Sequence, residues 1–312
     1  MLYIYANLFS EFQCQMCGTC CQNNWMVTVD QTCYQRNADL FRVTGRVDEF
    51  NEAFLAIESP SLGEYAMIAK QPQGQCWFLQ PNNLCRLHKE AGHEHLDVVC
   101  KTFPRYPMNT ARGIELTLSF SCPAVLKLVS ESYLEIIRSE VRPVHIYSEN
   151  FVTQAYPQQY SLDHPLHYYF ELEQHFIDIL QWRSLPMEDR INRVCDTIDI
   201  LCSNKPDDMG REITRLIYRN YEQLETADPC NPSQDAGSIL VENFFVNTVF
   251  KKLLYDHGLK RGAAILQLFW SHIRQKSEQE IEEAARWEKI RRAIFEMEFE
   301  YSHHRRQFSN RK

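Results

Sequence analysis

The sequence predicts a mainly α protein in two parts: an irregular, cysteine-rich metal-binding N-terminal module with a small β-hairpin, then a multi-helix bundle. Three observations predict it. Eight cysteines and one histidine with metal-ligand spacing fall within the first 122 residues, where regular periodicity is thin. From Asp163 onward, apolar residues recur every three or four positions nearly to the end, which is the helical period. Hydrophobic residues make up 44% of the 312 against 24% charged, enough to bury a core. The expected boundaries are 1–130 for the cysteine-cluster module, 131–162 for a connecting segment and 163–304 for the helical domain.

The first element is the run Cys14 to Cys21, CQMCGTCC. Four thiols this close converge on a metal more readily than on each other. Adjacent Cys20 and Cys21 do not pair easily, because a disulfide needs Cα atoms about 4.4–6.8 Å apart with converging Cβ vectors. Gly18 stands where a backbone wrapping an ion wants positive φ. Downstream come Cys76, Cys85 and His88 three residues apart, Cys100, and Cys122-Pro123. A tetrahedral zinc takes four ligands, so there are more donors than one zinc needs. A 4Fe–4S cluster takes a C-x₂-C-x₂-C run and one remote cysteine, often followed by proline. Cys14, Cys17 and Cys20 fit the run, with Cys122 or Cys100 as the remote ligand. Cys21, Cys76, Cys85 and His88 complete the candidate metal set; a surface or capping role is the alternative for His88. Cys33, Cys195, Cys202 and Cys230 lack such spacing and read as ordinary thiols.

Between these donors the pattern is broken. Asp30 caps a predicted helix through Tyr34 and Leu40, and Asp48 opens another through Phe50, Phe54 and Ile57. Tyr65–Ile68 and Cys76–Leu79 read as short strands around a Gln71–Gly74 turn. A helix begins at Leu84 and ends at Gly92. The stretch after Cys100, KTFPRYPMN, holds two prolines and is expected to be neither regular helix nor central strand. Ile114–Phe120 alternates as a strand. So thin a framework is the usual circumstance for a metal staple.

After Pro123 a helix is predicted through Val125, Leu128, Val129 and Leu134, then a proline- and tyrosine-rich segment, Pro143 to Tyr160. Helices follow at 164–183, 186–203, 210–226, 237–257, 260–275 and 277–301, with Asp163 and Ser184 as N-caps and Gly258 as a stop. The last carries a core stripe from Ile281 to Tyr301, and the basic tail after His304 is a solvated end. One helix differs. Val241–Phe250 is apolar on nearly every side yet includes Glu242, Asn243 and Asn247. Buried polar groups need partners, found either in neighbouring loops or in a ligand.

Charge excludes one class. Lys plus Arg is 33 against 41 acids, a net charge of −8, which disfavours nucleic acid as a partner. No G-x-G-x-x-G or Walker A sequence is found, so neither glycine-rich phosphate cradle is supported. The opening MLYIYANLFSEFQC lacks a basic region and is polar-interrupted, and no window reaches the roughly 18 apolar residues of a membrane span. The expectation is a cytoplasmic protein without a membrane partner, in which clustered thiols read as metal ligands. A disulfide-rich secreted domain is the competing reading of the cysteines.

Taken together, Cys14-x₂-Cys17-Gly-x-Cys20-Cys21, Cys76-x-Phe-Leu, Leu84-Cys85-x-Leu-His88, Cys100-x₂-Phe103-Pro104-Arg105, Ser121-Cys122-Pro123 and Glu242-Asn243-x₃-Asn247 resemble the flagellin lysine N-methylases. Those lie within a wider group of zinc- or iron-chelating cysteine-cluster proteins. The family's usual ending, an arginine then a histidine in the last helix, is only loosely echoed by Arg292 and His303-His304. The resemblance implies an iron–sulfur protein, with a 4Fe–4S cluster or alternatively zinc, that uses S-adenosylmethionine to methylate lysine ε-amines. The substrate it implies is a protein, flagellin or another lysine-bearing chain.

Methyl transfer to lysine requires a neutral amine in line with the methyl-bearing sulfonium. Arg105, Asn243 and Asn247 are the candidates for holding the cofactor, alongside an open iron position. Glu242 and Tyr106 are the candidates for handling the lysine proton. The competing class is a non-enzymatic zinc- or iron-staple whose helical half binds another protein. An electron carrier is a third, and has no need of so large a helical domain.

Overall fold

The computed structural model describes residues 1–61, 63–143, 155–156, 160–203, 206–226 and 235–303, and it is mainly α with a small β portion. Cys230, the tail after His303 and most of the segment Pro143 to Tyr160 lie outside the described residues. The chain opens with strand β1 (Tyr3–Ala6), helix α1 (Thr19–Gln22) and strand β2 (Thr28–Val29). Helices α2 (Gln31–Val43) and α3 (Val47–Ala53) follow, then strands β3 (Phe54–Ala56) and β4 (Ala66–Ile68). Short helices α4 (Arg86–Ala91) and α5 (Val98–Thr102) lead to β5 (Arg105–Thr110), β6 (Gly113–Leu118), α6 (Pro123–Leu128), β7 (Ile136–Ser139) and β8 (Ala155–Tyr156). The helical half comprises α7 (Tyr169–Leu180), α8 (Met187–Ser203), α9 (Met209–Thr226) and α10 (Ala236–Phe250). It continues through α11 (Leu253–Asp256), α12 (Leu259–Ser277) and α13 (Glu283–His303).

Two hydrophobic cores hold these elements. The smaller lies around the three-stranded antiparallel sheet β2-β4-β3 and is largely aromatic, with Phe41, Phe50, Phe54 and Phe78 packed ring against ring. The larger runs from β1 and the second sheet into the helices, so Ile4, Leu116 and Val125 share one interior with Phe176, Phe244 and Leu266. That second sheet has the order β7-β1-β6-β5-β8, with β1 parallel to β6. Gly113 makes the pairing possible. At φ +137° it lies so close to the first strand that a Cβ would sit 2.1 Å from the Leu2 carbonyl oxygen.

Several elements match their sequence signals. Asp30 caps α2, its Oδ1 accepting from the Cys33 amide at 2.6 Å. Helices α8, α9 and α12 lie within a residue or two of expectation. Others need correction. β5 contains Pro107 within a paired strand, against the expectation for KTFPRYPMN. Pro107 stands opposite Leu116 of β6, and among the described residues β8 pairs only with Asn109 and Thr110 of β5. Phe54 belongs to β3, so the helix expected from Asp48 stops at Ala53. Cys76–Leu79 makes only isolated bridges, Lys70 to Cys76 and Leu79 to Cys85. Leu134 lies beyond the end of α6. The helix expected at 164–183 starts with a 3-10 turn capped by His164 rather than Asp163, and α13 begins at Glu283 rather than 277.

The helix expected at 237–257 breaks after Phe250, short of its expected end, at a residue held by buried charges. Lys252 adopts φ +69° and buries its ammonium completely. Its Nζ donates at 2.6 Å to Glu115 on β6 and at 2.6 Å to Glu173 on α7. Arg112, from the β5–β6 turn, closes the cluster by donating to both carboxylates, at 2.8 Å and 2.5 Å. Thr110 Oγ1 adds a bond to Glu115 at 2.9 Å. Two cations therefore balance two carboxylates away from water. For Glu115 burial pushes the carboxyl up, but Lys252 and Arg112 outweigh it and hold it low. For Glu173 burial wins, and its carboxyl sits above the ordinary range.

Lys252→Met would leave two buried carboxylates with one cation. Removing a partner from a buried pair costs about 3–5 kcal/mol, so denaturant unfolding should show a loss of that size. A loss below 1 kcal/mol would mean water reaches the cluster. A second prediction concerns acid. His175 on α7 is buried against Asn220, and burial holds its imidazole down to about 4. The unfolded chain protonates near the ordinary value of about 6.5, so between those values it binds the extra proton. Stability is lost as pH falls through that window. In His175→Gln the acid-side loss between pH 6.5 and 4 should shrink, by up to roughly 3 kcal/mol, in unfolding curves measured across that range.

Candidate functional site

The opening cysteine run folds around Gly18. With φ +74°, Gly18 takes the left-handed turn that starts α1, and a Cβ there would meet the Asn83 side chain at 2.8 Å. Its carbonyl accepts from the Cys21 and Gln22 amides at 2.8 and 2.9 Å. Cys20 and Cys21 thereby ride on α1, with Cys14 and Cys17 on the loop before it. The Cys76 amide donates to the Cys21 carbonyl at 2.7 Å, which ties the second donor segment to the first. That segment is knotted by Gln71, whose Nε2 donates to the carbonyls of Cys76 and Leu79 at 3.0 and 2.9 Å. Cys85 stands at the N-cap of α4 with His88 one turn on, Cys100 sits in α5, and Cys122 stands at the N-cap of α6.

All nine expected donors line one cavity of about 870 Å³: Cys14, Cys17, Cys20, Cys21, Cys76, Cys85, His88, Cys100 and Cys122. Apolar side chains such as Val27, Ile68, Phe78 and Leu87 form much of the remaining wall. The donors ring this space rather than meet at a point. Among the described residues, no three His, Cys, Asp or Glu side chains are grouped closely enough to hold a metal ion. In chemistry the set fits a soft metal, since thiolates select zinc, copper(I) and iron–sulfur clusters.

The thiols differ in readiness to ionise. Cys20 and Cys21 have Sγ atoms 3.9 Å apart. Cys20 is held below its ordinary value, chiefly by its hydrogen bond with Cys21, and Cys76 is drawn down to about 7 chiefly by its own bond with Cys21. Cys21 is pushed up in return. Lys70, opposite Cys76 in a β-bridge, adds a favourable positive charge. Burial pushes Cys85 and Cys100 up, and Cys122 to about 11. Cys100 retains accessible surface, which a cavity this wide provides even where the surrounding protein is dense.

Of the other expected site residues, Arg105 alone lines the cavity. Its guanidinium lies 5.5 and 5.0 Å from the Phe9 and Phe12 ring centres and donates to the Phe12 carbonyl at 2.9 Å. Tyr106 is next along β5 and alternation turns it to the opposite face of the sheet, where Lys251 stands 5.4 Å from its ring centre. Glu242 is held by Arg183 and Arg190, at 2.9 and 2.7 Å. Asn243 accepts from the Leu134 amide at 2.8 Å and donates to the carbonyls of Val129 and Ser132 at 2.6 and 2.8 Å. Asn247 donates to the Leu118 carbonyl at 3.0 Å. None of these four lines the cavity.

The cavity includes residues that sequence reasoning passed over. Cys33, taken as an ordinary thiol, is buried in its wall, where burial pushes it to about 12. Trp25, Phe103, His93 and His95 also line it. Trp25 stacks on Phe299 of α13 and tilts against Phe103, with ring centres 5.5 and 5.4 Å apart. The last helix thus packs against the wall of the cysteine cavity. The two histidines carried one available signal, their closeness to the Cys85–Cys100 donors in an otherwise broken stretch.

Comparison with known proteins gives a distant relationship. The chain is 27% identical over 119 residues to the Flagellar biosynthetic protein FliU of Salmonella muenchen, a match covering 37% of this chain and 69% of that protein. It is likewise 27% identical over 119 residues to the Lysine-N-methylase of Salmonella typhimurium, covering 37% of this chain but only 29% of the methylase. No family model matches the chain, and no solved structure does. Among the described residues, no helix is long and apolar enough to cross a membrane.

Because Asn243 has every polar atom paired to backbone, Asn243→Ala should cost stability. The expected loss is about 1–3 kcal/mol, the cost of unsatisfied buried groups. Denaturant unfolding measures it, and metal content should stay at the wild-type value.

Proposed function

We propose that this chain is an iron–sulfur member of the flagellin lysine N-methylases, which transfers a methyl group from S-adenosylmethionine to lysine ε-amines of a protein. The observation that carries the reading is the cavity, in which eight thiols and the His88 imidazole share one space with Arg105 and the aromatic pair Trp25 and Phe103. Its volume of about 870 Å³ lies within the roughly 300–1,000 Å³ typical of small-molecule sites. A cluster alone leaves most of that space unfilled. The relatives' names point the same way, one flagellar and one a lysine methylase.

In this reading the thiols hold a 4Fe–4S cluster, drawn from Cys14, Cys17, Cys20, Cys21, Cys76, Cys85, Cys100 and Cys122, with His88 beside them. S-adenosylmethionine supplies, when bound, a methyl group on a sulfonium sulfur. Arg105, which lines the cavity, pairs with its carboxylate in this reading, since a guanidinium matches carboxylate geometry. Trp25 and Phe103 offer ring faces and edges for an adenine. Around the cavity the apolar wall limits water, which favours the neutral amine that transfer requires. Glu242, Asn243 and Asn247 act on the fold that carries the cavity. The substrate is a lysine-bearing protein, flagellin or another chain, and the compartment is the cytoplasm, where free thiols persist.

Anaerobically purified protein should be brown and carry iron with acid-labile sulfide. Isothermal titration should show S-adenosylmethionine binding that weakens by about 1–3 kcal/mol in Arg105→Ala, with iron content unchanged. Zinc without labile sulfide after anaerobic reconstitution would replace the cluster with a zinc staple. Failure of the wild type to bind S-adenosylmethionine would remove the methylase reading altogether.

A further inference from the structure

We propose that His95 is the general base that takes the proton from the substrate lysine, through the lone pair on its Nε2. The inference rests on the methylase reading and supplies what that reading lacks at the cavity, since neither Glu242 nor Tyr106 lines it.

The argument starts from Asn37. Its side chain on α2 is fully buried, and its Nδ2 donates to two backbone carbonyls, those of Cys33 at 2.9 Å and His95 at 3.0 Å. A carbonyl oxygen only accepts, so the amide has one workable orientation. Its Oδ1 is then an acceptor, and it faces His95 Nδ1 at 3.2 Å. The ring hydrogen of a neutral His95 therefore sits on Nδ1, and the lone pair is left on Nε2. Among the described residues Nε2 has no partner, and the half-buried ring lines the cavity. A tautomer selected by a buried asparagine, on a ring that lines the cavity, leaves on Nε2 the lone pair that a proton acceptor needs.

Its surroundings keep the ring neutral. Burial lowers its proton affinity, Arg36 on α2 and Lys101 on α5 lower it further, and Glu94 beside it works the other way. Both cations are fixed, each donating to the Glu94 carbonyl, Lys101 at 3.1 Å. Asp97, buried two residues away, is occupied by the amides of Asp30 and Val99. His93, the neighbouring titratable ring, packs against His88 at 5.8 Å between centres.

A lysine ammonium ordinarily titrates near about 10.4, so a substrate enters the cavity protonated. One proton passes from its Nζ to His95 Nε2. The freed lone pair forms the N–C bond while the methyl–sulfur bond breaks with its electron pair left on sulfur. The imidazolium then gives the proton to water, restoring the neutral ring.

The test uses the full chain, purified anaerobically with its metal, as wild type, His95→Gln and His95→Ala. Methylation of a lysine-bearing protein is followed by mass spectrometry across pH, alongside S-adenosylmethionine titration and iron analysis. Loss of the base should lower kcat by about 100-fold or more, with cofactor affinity and iron unchanged. Added imidazole should restore part of the His95→Ala rate, and the variants' rate should keep rising with pH toward the range of lysine itself. Variants with wild-type rate and pH profile overturn the assignment while the methylase reading stands. Loss of iron in the variants also overturns it, by moving His95 to the metal centre. A wild type that binds S-adenosylmethionine in no measurable amount and transfers no methyl overturns both. Diethyl pyrocarbonate labelling of wild-type protein needs no variant: His95 should react near neutral pH and be protected by substrate, and an inert His95 overturns the open Nε2.

Discussion

Lys252 is the point at which the sheet and the helices are held to one another. Its ammonium is wholly buried between Glu115 of β6 and Glu173 of α7, and Arg112 closes the cluster from the hairpin turn. Desolvating such charges costs several kcal/mol per ion, an expense that only mutual pairing offsets. The pairing in turn demands a left-handed backbone at a non-glycine residue, which costs roughly 1–2 kcal/mol. The chain accepts both because α10 needs fixing. That helix is apolar around its whole circumference and nearly every residue in it is buried, so no hydrophobic face selects its rotation. Polar pins do. Glu242 meets Arg183 and Arg190 at mid-helix, Asn243 and Asn247 reach backbone from there onward, and Lys251 pairs with Glu298 where the helix stops.

The cysteine region is built on another principle. Its helices are short, and its order comes from an aromatic core and from side chains that bond backbone, such as Gln71 and Asn37. Donors placed on caps and loops can approach one cavity from many directions, which long helices would prevent. The residues that line that cavity all lie between Ser10 and Ala124, and the helical half backs it where Trp25 stacks on Phe299 of α13. The distant similarity to a flagellar protein and a lysine methylase covers 37% of the chain.

Much of the candidate site was legible beforehand. Cysteine spacing picked out the nine donors that line one cavity, because short-range spacing limits where side chains can point. Arg105 was legible beside Pro104. Cys33 and His95 were not, since each is a single residue whose neighbours arrive from elsewhere, His95 being met by Asn37 from 58 residues away. Asn243 and Asn247 were recognised as buried polar groups needing partners. Which partners they take, backbone carbonyls of β6 and of the stretch after α6 and not the cavity, depends on how α10 packs.

The sequence by itself determined the mainly α class, most helix positions, the cap at Asp30 and the set of cysteines that share one cavity. Those follow from periodicity, capping chemistry and ligand spacing, all of which act over a few residues. Only the tertiary structure decided where α10 breaks, which carboxylates receive Lys252, and which nitrogen of His95 stays basic. Lys252 reaches partners 137 and 79 residues away, and no local pattern records a contact at that separation. Burial makes such contacts decisive: away from water, each charge and each lone pair must be matched by whatever the fold brings beside it.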